Sequence, residues 1–343
     1  MGMLQSEEET RVVILLPVHN EEMNLLRVVA NIDADFEASI PSMAPPLLLF
    51  VDDGSSDSSR LVIQQLITER GNACCLGFSR NFGHQAAVMA GLAYTPENCI
   101  VLVMDADGQD PSIVGAELVR RVLDGVDIAY GVRKKREGSS LLKRVAYWNF
   151  YRILSWLSMI EIPLDAGDFC AYSSRAVKML ATLKEQHPYV RGLRAWIGLT
   201  QVGVPYNRPD RYAGETSYNF KRLIKLAFDG IISFSLKPLR IAMVVGFTTF
   251  LLCTILGFFY LMFYIFDLHI AGASVRKVPG FTTLILVVLA FSGLQMMMLG
   301  VIGEYLGRVF EQAKGRPLFI VAETLGSLNH QAIHERRQSN YSA

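Results

Sequence analysis

Three carboxylates stand close together after an apolar run, in the stretch VLVMDADGQDPS that begins at Val101. Asp105 and Asp107 are two residues apart, and Asp110 follows shortly after them. Carboxylates this close together are costly unless a cation lies among them. Their hard oxygen atoms suit Mg²⁺ or Mn²⁺, which usually keeps water and substrate phosphates as further ligands. The stretch therefore predicts a divalent-metal site, while Asp110, which precedes Pro111, is predicted to cap the next helix.

The position of these acids favours a metal site over the solvated turn in which a D-x-D also occurs. Five short apolar segments alternate with helical stretches up to residue 135: RVVILLPV, PLLLFVDD, ACCLGFS, CIVLVMDAD and VDIAYGV. This alternation predicts an α/β domain with a mostly parallel sheet covered on both faces. Ligands of such sheets bind at the carboxyl ends of the strands. The polar motifs fall at those ends, namely His19-Asn20-Glu21, Asp52-Asp53-Gly54 and Asp105-Ala106-Asp107.

Charge and hydropathy narrow the possible partners. The net charge of the 343 residues is +1, which gives no electrostatic reason to expect a nucleic acid. Hydrophobic residues make up 51% of the chain, and the ranges 241–266 and 278–303 contain no Asp, Glu, Lys or Arg. About 20 apolar residues cross a bilayer as a helix. The two ranges therefore predict a transmembrane hairpin rather than two buried helices of a soluble core.

Positive charges around the hairpin predict its orientation. Lys237, Arg240, Arg308, Lys314 and Arg316 flank its outer ends, whereas two cations lie in the short loop between the segments. This bias predicts that the bulk of the chain and both termini lie in the cytoplasm, with the chain integral to the cytoplasmic membrane. The acidic start MGMLQSEEET predicts no signal peptide. Two spans would pack more easily with neighbouring chains, so a homo-oligomer through these helices is an open alternative.

Two further segments combine apolar or aromatic residues with cations. Residues 139–160 carry Trp148 and Trp156 among basic residues, which is typical of a helix in the membrane interface, although a core helix with basic ends also fits. Residues 219–240 have a similar composition and predict a juxtamembrane amphipathic helix. The five cysteines show no metal-ligand spacing and are predicted to be reduced core thiols.

Taken together, these motifs resemble family 2 glycosyltransferases of the GT-A fold, in the branch that loads sugars onto polyprenyl phosphates. The resemblance covers about residues 11 to 310, through LLPVHNEEMNL, VDDGSSDSS, SRNFGHQAAVMAGL, DADGQDP, GVRKKREGSSLLK, DAGDF, RGLRAWIG, RYAGETSYNFKRLIKLAFDGIISFS and the paired apolar segments. The later motifs are similar to those of dolichol-phosphate mannose synthases and bactoprenol glucosyltransferases. The resemblance implies a Rossmann-like GT-A domain with interfacial helices and a two-helix membrane hairpin.

The resemblance also implies roles for single residues. Those implied to bind the nucleotide-sugar are Pro17, Asn20, Glu21, Asp53 and Asp105. Those implied to hold Mg²⁺ or Mn²⁺ are Asp105, Asp107 and Gln109. Those implied to bind the lipid phosphate are Arg133, Lys134, Arg136, Arg208, Arg211 and Ser217. The implied catalytic residues are Asp105, Asp107 and Asp168, where Asp168 could act as a base or cap backbone but is best interpreted as a positioning group.

Two residues of these motifs carry smaller predictions. Gly108 departs from the branch, which more often has Leu at this position, and we expect it to loosen the packing of the acidic loop. His84 precedes a helical stretch and could cap that helix or contact phosphate. Capping is the simpler interpretation of His84.

The predicted reaction is inverting transfer of a sugar from a nucleotide-sugar, by preference UDP-glucose, to a polyprenyl phosphate such as undecaprenyl phosphate. A phosphate acceptor is already ionised near neutral pH, so the site needs cations more than a strong base. GDP-mannose and other UDP-sugars are alternative donors. A processive polysaccharide synthase fits less well, because RGLRAW lacks the Gln of the Q-x-x-R-W element. A catalytically inactive membrane scaffold or lipid-carrier subunit is the alternative of another class.

The predicted domain organisation follows from these segments. It consists of an N-terminal tail over 1–10, a GT-A glycosyltransferase domain over 11–218, a juxtamembrane helix over 219–240, a transmembrane hairpin over 241–303 and a cytoplasmic tail over 304–343.

Overall fold

The computed structural model of the chain describes residues 11–134, 166–209, 237–266, 269–270, 273–274 and 280–326. The predicted interfacial helix over 139–160 lies outside these residues, as does 219–236 of the predicted juxtamembrane helix. The described residues fall into two compact units. The first contains those up to 209 together with 315–326, and the second contains 237–314.

Ten strands are present in the described residues. They are β1 (Arg11–Val18), β2 (Leu47–Asp52), β3 (Ala73–Phe78), β4 (Cys99–Val103), β5 (Ile128–Arg133), β6 (Ala166–Tyr172), β7 (Gln201–Tyr206), β8 (His269–Ile270), β9 (Ala273–Ser274) and β10 (Val321–Leu325). Eight helices accompany them: α1 (Leu25–Ser39), α2 (Ser59–Arg70), α3 (His84–Tyr94), α4 (Ser112–Leu123), α5 (Ser174–Ala181), α6 (Val190–Trp196), α7 (Lys237–Ile265) and α8 (Phe281–Ala313).

The first unit is built on an eight-stranded sheet in the order β10-β3-β2-β1-β4-β6-β5-β7. The pairs β1–β2, β1–β4, β2–β3 and β5–β7 are parallel. Strand β6 runs antiparallel to both β4 and β5, and β10 runs antiparallel to β3. The predicted α/β class is confirmed, and the sheet is mixed because β6 and β10 run opposite to their neighbours.

Helices cover both faces of this sheet. Strand β1 is central, and Ile14 and Leu16 on one of its faces belong to a core that includes Ile32 of α1. On the other face, α3 approaches so closely that a Cβ on Gly91 would overlap the side chain of Leu15. Burial on both faces explains why β1 is apolar without a break. This rigid sheet positions the loops that follow β1, β2 and β4.

The edge of the sheet next to β3 is covered by a strand from the C-terminal part of the chain. Strand β10 pairs with β3, and Glu323 forms an ion pair with Arg60 of α2. Just before β10, the ring of Phe319 stacks on Phe78 with 5.3 Å between the ring centroids. This region lies in the predicted C-terminal tail over 304–343, where no strand was expected.

The second unit contains the two longest helices of the described residues, α7 with 29 residues and α8 with 33. Helix α8 extends to Ala313, beyond the predicted end of the second apolar segment at residue 303. Within the described residues, none of the helices combines the length and the apolar character needed to cross a membrane.

Candidate active site

A cleft opens at the carboxyl ends of the strands in the first unit, as the sequence predicted for the ligand site of such a sheet. Predicted site residues that line it are Pro17, Glu21, Asp53, Asp105, Asp107, Gln109, Arg133, Asp168 and Arg208. Asn20 and Lys134 are not among the residues that line this cleft. Arg136, Arg211 and Ser217 lie outside the described residues.

The loop after β1 and the loop after β2 hold each other in place. Asn20 has a φ of 58° and its side-chain oxygen accepts the backbone N–H of Ser56 at 2.8 Å. Ser55 in turn donates its backbone N–H to the carboxylate of Asp52 at 2.9 Å. The side chain of Asn20 therefore shapes the loop after β2 instead of lining the cleft.

Asp53, the first residue after β2, holds the backbone that follows β3. Its two carboxylate oxygens accept the backbone N–H groups of Phe82 at 2.6 Å and of Gly83 at 2.9 Å. Burial raises the pKa of Asp53, although these two N–H groups oppose the rise. Asp53 thereby fixes the backbone that leads into α3, where the cleft residue His84 is located.

Asp105 and Asp107 face one cation. Nη2 of Arg208 lies 3.5 Å from Oδ2 of Asp105 and 3.7 Å from Oδ2 of Asp107. The other oxygen of Asp107 accepts the backbone N–H of Gln109 at 2.9 Å, and the side-chain amide of Gln109 donates to the carbonyl of Pro209 at 3.2 Å. The side chain of Asp105 is 30% exposed and that of Asp107 is 9% exposed. Arg208 therefore faces both carboxylates, and Asp105 is the more accessible of the two.

Asp110 does not cap α4, so this prediction was wrong. The residue before the helix is Pro111, and no side-chain cap bond is formed. The Asp110 carboxylate accepts the backbone N–H of Asp105 at 3.1 Å and the hydroxyl of Tyr206 at 3.2 Å. Burial, reinforced by the charge of Asp105, raises the pKa of Asp110 to about 7. Asp110 closes the acidic loop on itself because the loop turns back toward the end of β4.

Gly108 lies at the turn of this loop. Its φ is 74°, in the left-handed region that favours glycine, and a Cβ there would lie 2.8 Å from Nη2 of Arg27. A leucine would be strained in this conformation of the turn, and looser packing of the loop stays a prediction.

Asp168 is held by groups from two helices, α3 and α6. It lies on β6, and its carboxylate accepts Nε of Arg191 at 3.0 Å and Nη2 of the same residue at 3.1 Å. Gln85 of α3 donates its amide to the same carboxylate at 3.0 Å and accepts the backbone N–H of Val190 at 2.8 Å. Burial opposes ionisation, but the charge of Arg191 and the bond to His84 outweigh it, so the pKa of Asp168 lies well below its usual range. Both carboxylate oxygens of Asp168 therefore accept hydrogen bonds from side chains of the cleft.

His84 stands between the two acidic centres. Its Nε2 is 3.5 Å from Asp168 and 3.8 Å from Asp105. Burial favours the neutral ring, but Asp168 and Asp105 raise the pKa of His84 to about 9. The side chain is 40% exposed, and it lines the cleft. His84 is the first residue of α3, and interpreting it as a cap missed its position between two carboxylates.

Arg133 and Tyr206 lie side by side at the ends of β5 and β7. Nε of Arg133 donates to the Tyr206 hydroxyl at 3.4 Å, and the backbone N–H of Lys134 donates to the Tyr206 carbonyl at 2.9 Å. Of the two predicted phosphate-binding cations, Arg133 and Lys134, only Arg133 lines the cleft. Sequence reasoning also missed Gln85 and Arg191, although both lie in the motifs SRNFGHQAAVMAGL and RGLRAWIG that carry the family resemblance.

Comparisons with known proteins define the class to which this fold and cleft belong. The Glycosyl transferase family 2 model matches residues 13–180. The uncharacterized glycosyltransferase YkcC of Bacillus subtilis is 38% identical over 326 residues, which cover 95% of this chain and 98% of that protein. The chain therefore belongs to glycosyltransferase family 2, and the predicted family is confirmed.

Two other relatives have names that include a lipid carrier. The prophage bactoprenol glucosyl transferase homolog of Escherichia coli K12 is 33% identical over 312 residues, covering 91% of this chain and 98% of that protein. The bactoprenol glucosyl transferase of Shigella phage SfX is 31% identical over 312 residues, with the same two coverages.

Proposed function

We propose that this glycosyltransferase moves a sugar from a nucleotide-sugar, UDP-glucose by preference, to a polyprenyl phosphate such as undecaprenyl phosphate. The products would be the polyprenyl-phosphate sugar, with inverted configuration at the sugar, and a nucleoside diphosphate. The observation that carries the proposal is that the carboxylates Asp105 and Asp107 and the two arginines Arg133 and Arg208 line one cleft. The names of the bactoprenol relatives support a polyprenyl phosphate as the acceptor.

The acidic pair fits a divalent metal ion by the chemistry of its donors. One guanidinium nitrogen lies within 3.7 Å of an oxygen from each of Asp105 and Asp107, so a cation between these carboxylates is already favourable. No group of three His, Cys, Asp or Glu side chains in the described part of the chain is arranged to hold a metal. Mg²⁺ commonly binds to one or two carboxylates and completes its shell with water and substrate phosphates.

We therefore propose that Asp105 and Asp107 hold Mg²⁺ or Mn²⁺, with the amide oxygen of Gln109 as a further ligand. A bound divalent ion supplies charge stabilisation to a diphosphate leaving group. The nucleotide would lie along Pro17, Glu21 and Asp53, which line the same cleft.

Asp168 is proposed as a positioning residue. Its low pKa and its bonds to Arg191 and Gln85 make it a poor general base. An ionised phosphate acceptor needs no proton removed, so the reaction does not require such a base. Asp168 keeps Arg191 and the imidazolium of His84 beside the reacting groups, where both can stabilise negative charge.

Arg133 and Arg208 are proposed to receive the acceptor phosphate. Their planar guanidinium groups can pair with two phosphate oxygens at once. Further residues are proposed to bind the same phosphate, namely Lys134, Arg136, Arg211 and Ser217. The two anionic reactants would thus be held together by cations of the protein, which is the main electrostatic requirement of this reaction.

The membrane location remains a proposal that rests on the sequence. The ranges 241–266 and 278–303 lack charged residues, and large apolar side chains such as Phe247 and Met296 are exposed on α7 and α8. We propose that these ranges anchor the chain in the cytoplasmic membrane with the catalytic domain in the cytoplasm. Carbonate washing of membranes should leave the full chain in the pellet, and its release into the supernatant would contradict an integral anchor.

The experiment that tests the function uses purified full-length protein in detergent. It is mixed with undecaprenyl phosphate, Mg²⁺ and a panel of radiolabelled UDP- and GDP-sugars, and the label that enters organic solvent is counted. Transfer from UDP-glucose should exceed transfer from GDP-mannose. Absence of labelled lipid with every sugar would overturn the proposal, and nucleotide-sugar binding without turnover would favour an inactive scaffold instead.

A further inference from the structure

A chain of hydrogen bonds joins the two halves of the cleft through a buried tyrosine. Nε of Arg133 donates to the Tyr206 hydroxyl at 3.4 Å, and this hydroxyl donates to Oδ1 of Asp110 at 3.2 Å. Oδ2 of Asp110 accepts the backbone N–H of Asp105 at 3.1 Å. One phenol thereby connects a phosphate-binding cation to the backbone of a metal-binding carboxylate.

The phenol of Tyr206 is fixed by its surroundings, so its hydroxyl can set the positions of Asp110 and Arg133. Tyr206 is 3% exposed, and its ring packs edge-on against Phe169 with 5.4 Å between centroids. Its backbone pairs with Arg133 in the β5–β7 ladder, and its carbonyl accepts the N–H of Lys134. The ring and the backbone are therefore held independently of the hydroxyl, which leaves the hydroxyl to bond Asp110 and Arg133.

Asp110 has no role in the proposed reaction other than this support. Its side chain is buried, and its carboxylate oxygens accept the Tyr206 hydroxyl and the N–H of Asp105. A ligand-bearing loop that is closed by such a bond has a restricted orientation, and outer partners of this kind commonly set metal affinity.

We infer that Tyr206 is a positioning residue that aligns the acidic loop with Arg133, so that donor binding and acceptor binding depend on one hydroxyl group. The inference rests on the proposed function, because it takes Asp105 as a metal ligand and Arg133 as a phosphate ligand. Tyr206 itself contacts neither reactant in this account; it acts through Asp110 and Arg133.

The matched variant is Tyr206→Phe, which keeps the ring in the core and removes only the hydroxyl. The affinity of the full-length protein for UDP in the presence of Mn²⁺, measured by calorimetry, should fall about 10-fold, as is typical of lost outer partners. The KM for undecaprenyl phosphate should rise as well. Arg133→Gln should raise only the acceptor KM and leave Mn²⁺–UDP binding unchanged.

Tyr172→Phe is the control, because Tyr172 is a buried tyrosine of β6 that does not line the cleft. Unchanged Mn²⁺–UDP affinity in a folded Tyr206→Phe protein would overturn the inference. If that variant does not fold, Asp110→Asn tests the same series of hydrogen bonds. This variant should also weaken Mn²⁺–UDP binding. Failure of the wild-type protein to transfer sugar would refute the proposed function, whereas transfer by wild type with an unaffected Tyr206→Phe protein would refute this inference alone.

Discussion

The two acidic centres of the cleft are built in opposite ways. Asp168 is 8% exposed and has Arg191 across its carboxylate at 3.0 and 3.1 Å, with Gln85 as a further donor. Asp105 and Asp107 lie 3.5 and 3.7 Å from Arg208, and their side chains are 30% and 9% exposed, respectively. The first centre is closed by short hydrogen bonds from Arg191 and Gln85, whereas the second is open at Asp105.

The difference follows from the elements that carry each centre. Asp168 lies within β6, between α3 and α6, so three rigid elements converge on its carboxylate. Asp105 and Asp107 lie in a turn after β4, which Asp110 and Gly108 shape from within. A closed carboxylate suits positioning, and an open pair suits exchange of a ligand.

The largest expected effect is at the open pair. Asp107→Asn removes a charge that faces the proposed metal, and we expect sugar transfer to fall about 10³-fold, at the scale of a lost electrostatic contact to the transition state. Initial rates of labelled-lipid formation measure this loss. Asp124→Asn, at an exposed carboxylate after α4, is the control and should retain the wild-type rate. Equal transfer rates in wild type, Asp107→Asn and Asp124→Asn would show that the charge of Asp107 is not needed for sugar transfer.

A second expected effect is at the closed centre, where rate and stability should fall together. Asp168→Asn leaves Arg191 without its charged partner, so we expect a loss of about 3 kcal/mol in the free energy of unfolding. Transfer should fall about 10²-fold through misplacement of Arg191. Urea unfolding and initial rates provide the two measurements. A variant with full stability but no activity would instead point to direct proton transfer by Asp168.

A smaller effect is expected from the cation that faces the open pair. Arg208→Gln removes a charge that competes with a metal ion, so we expect Mn²⁺ to bind about 10-fold more tightly in the absence of nucleotide. Electron paramagnetic resonance of free Mn²⁺ measures this affinity. Arg120→Gln, at an exposed arginine of α4, should change nothing. Weaker Mn²⁺ binding in Arg208→Gln would mean that Arg208 stabilises the metal-binding conformation instead of competing with the metal ion.

The smallest expected effect is a pH dependence at His84, which bridges the two centres. The folded state raises the pKa of His84 from 6.5 to about 9, so the protonated ring stabilises the fold. This contribution is present in full below pH 6.5 and is lost as the pH rises through about 9. The stability difference between wild type and His84→Gln should therefore shrink over this range in urea unfolding, and a constant difference would contradict the assignment.

Much of the fold could be predicted from local patterns. The five apolar segments became β1 to β5, because uninterrupted apolar runs can only be buried between two helical layers. Strand β10 escaped prediction, since VAETL is short and partly polar and gains its place by pairing with the edge of β3. The antiparallel entry of β6 depends on its partners in the sheet, which sequence periodicity does not report.

The candidate site could be predicted where single residues carry the chemistry. Asp105, Asp107 and Asp168 stand out as carboxylates at strand ends or in family motifs, and they line one cleft. Gln85 and Arg191 were missed because their role depends on a contact across 83 and 23 residues, respectively. The prediction for Asp110 was wrong because its position before Pro111 indicates a helix cap. The carboxylate instead accepts the hydroxyl of Tyr206, which is 96 residues away in the sequence.

The most direct test compares Asp168 with the pair Asp105 and Asp107. Mn²⁺ binding to the full-length protein is measured by electron paramagnetic resonance in the presence of UDP. Wild type and Asp168→Asn should bind one Mn²⁺ per chain with similar affinity, because the closed centre does not hold the metal. Asp107→Asn should lose this binding. Loss of binding in Asp168→Asn together with retention in Asp107→Asn would contradict the account.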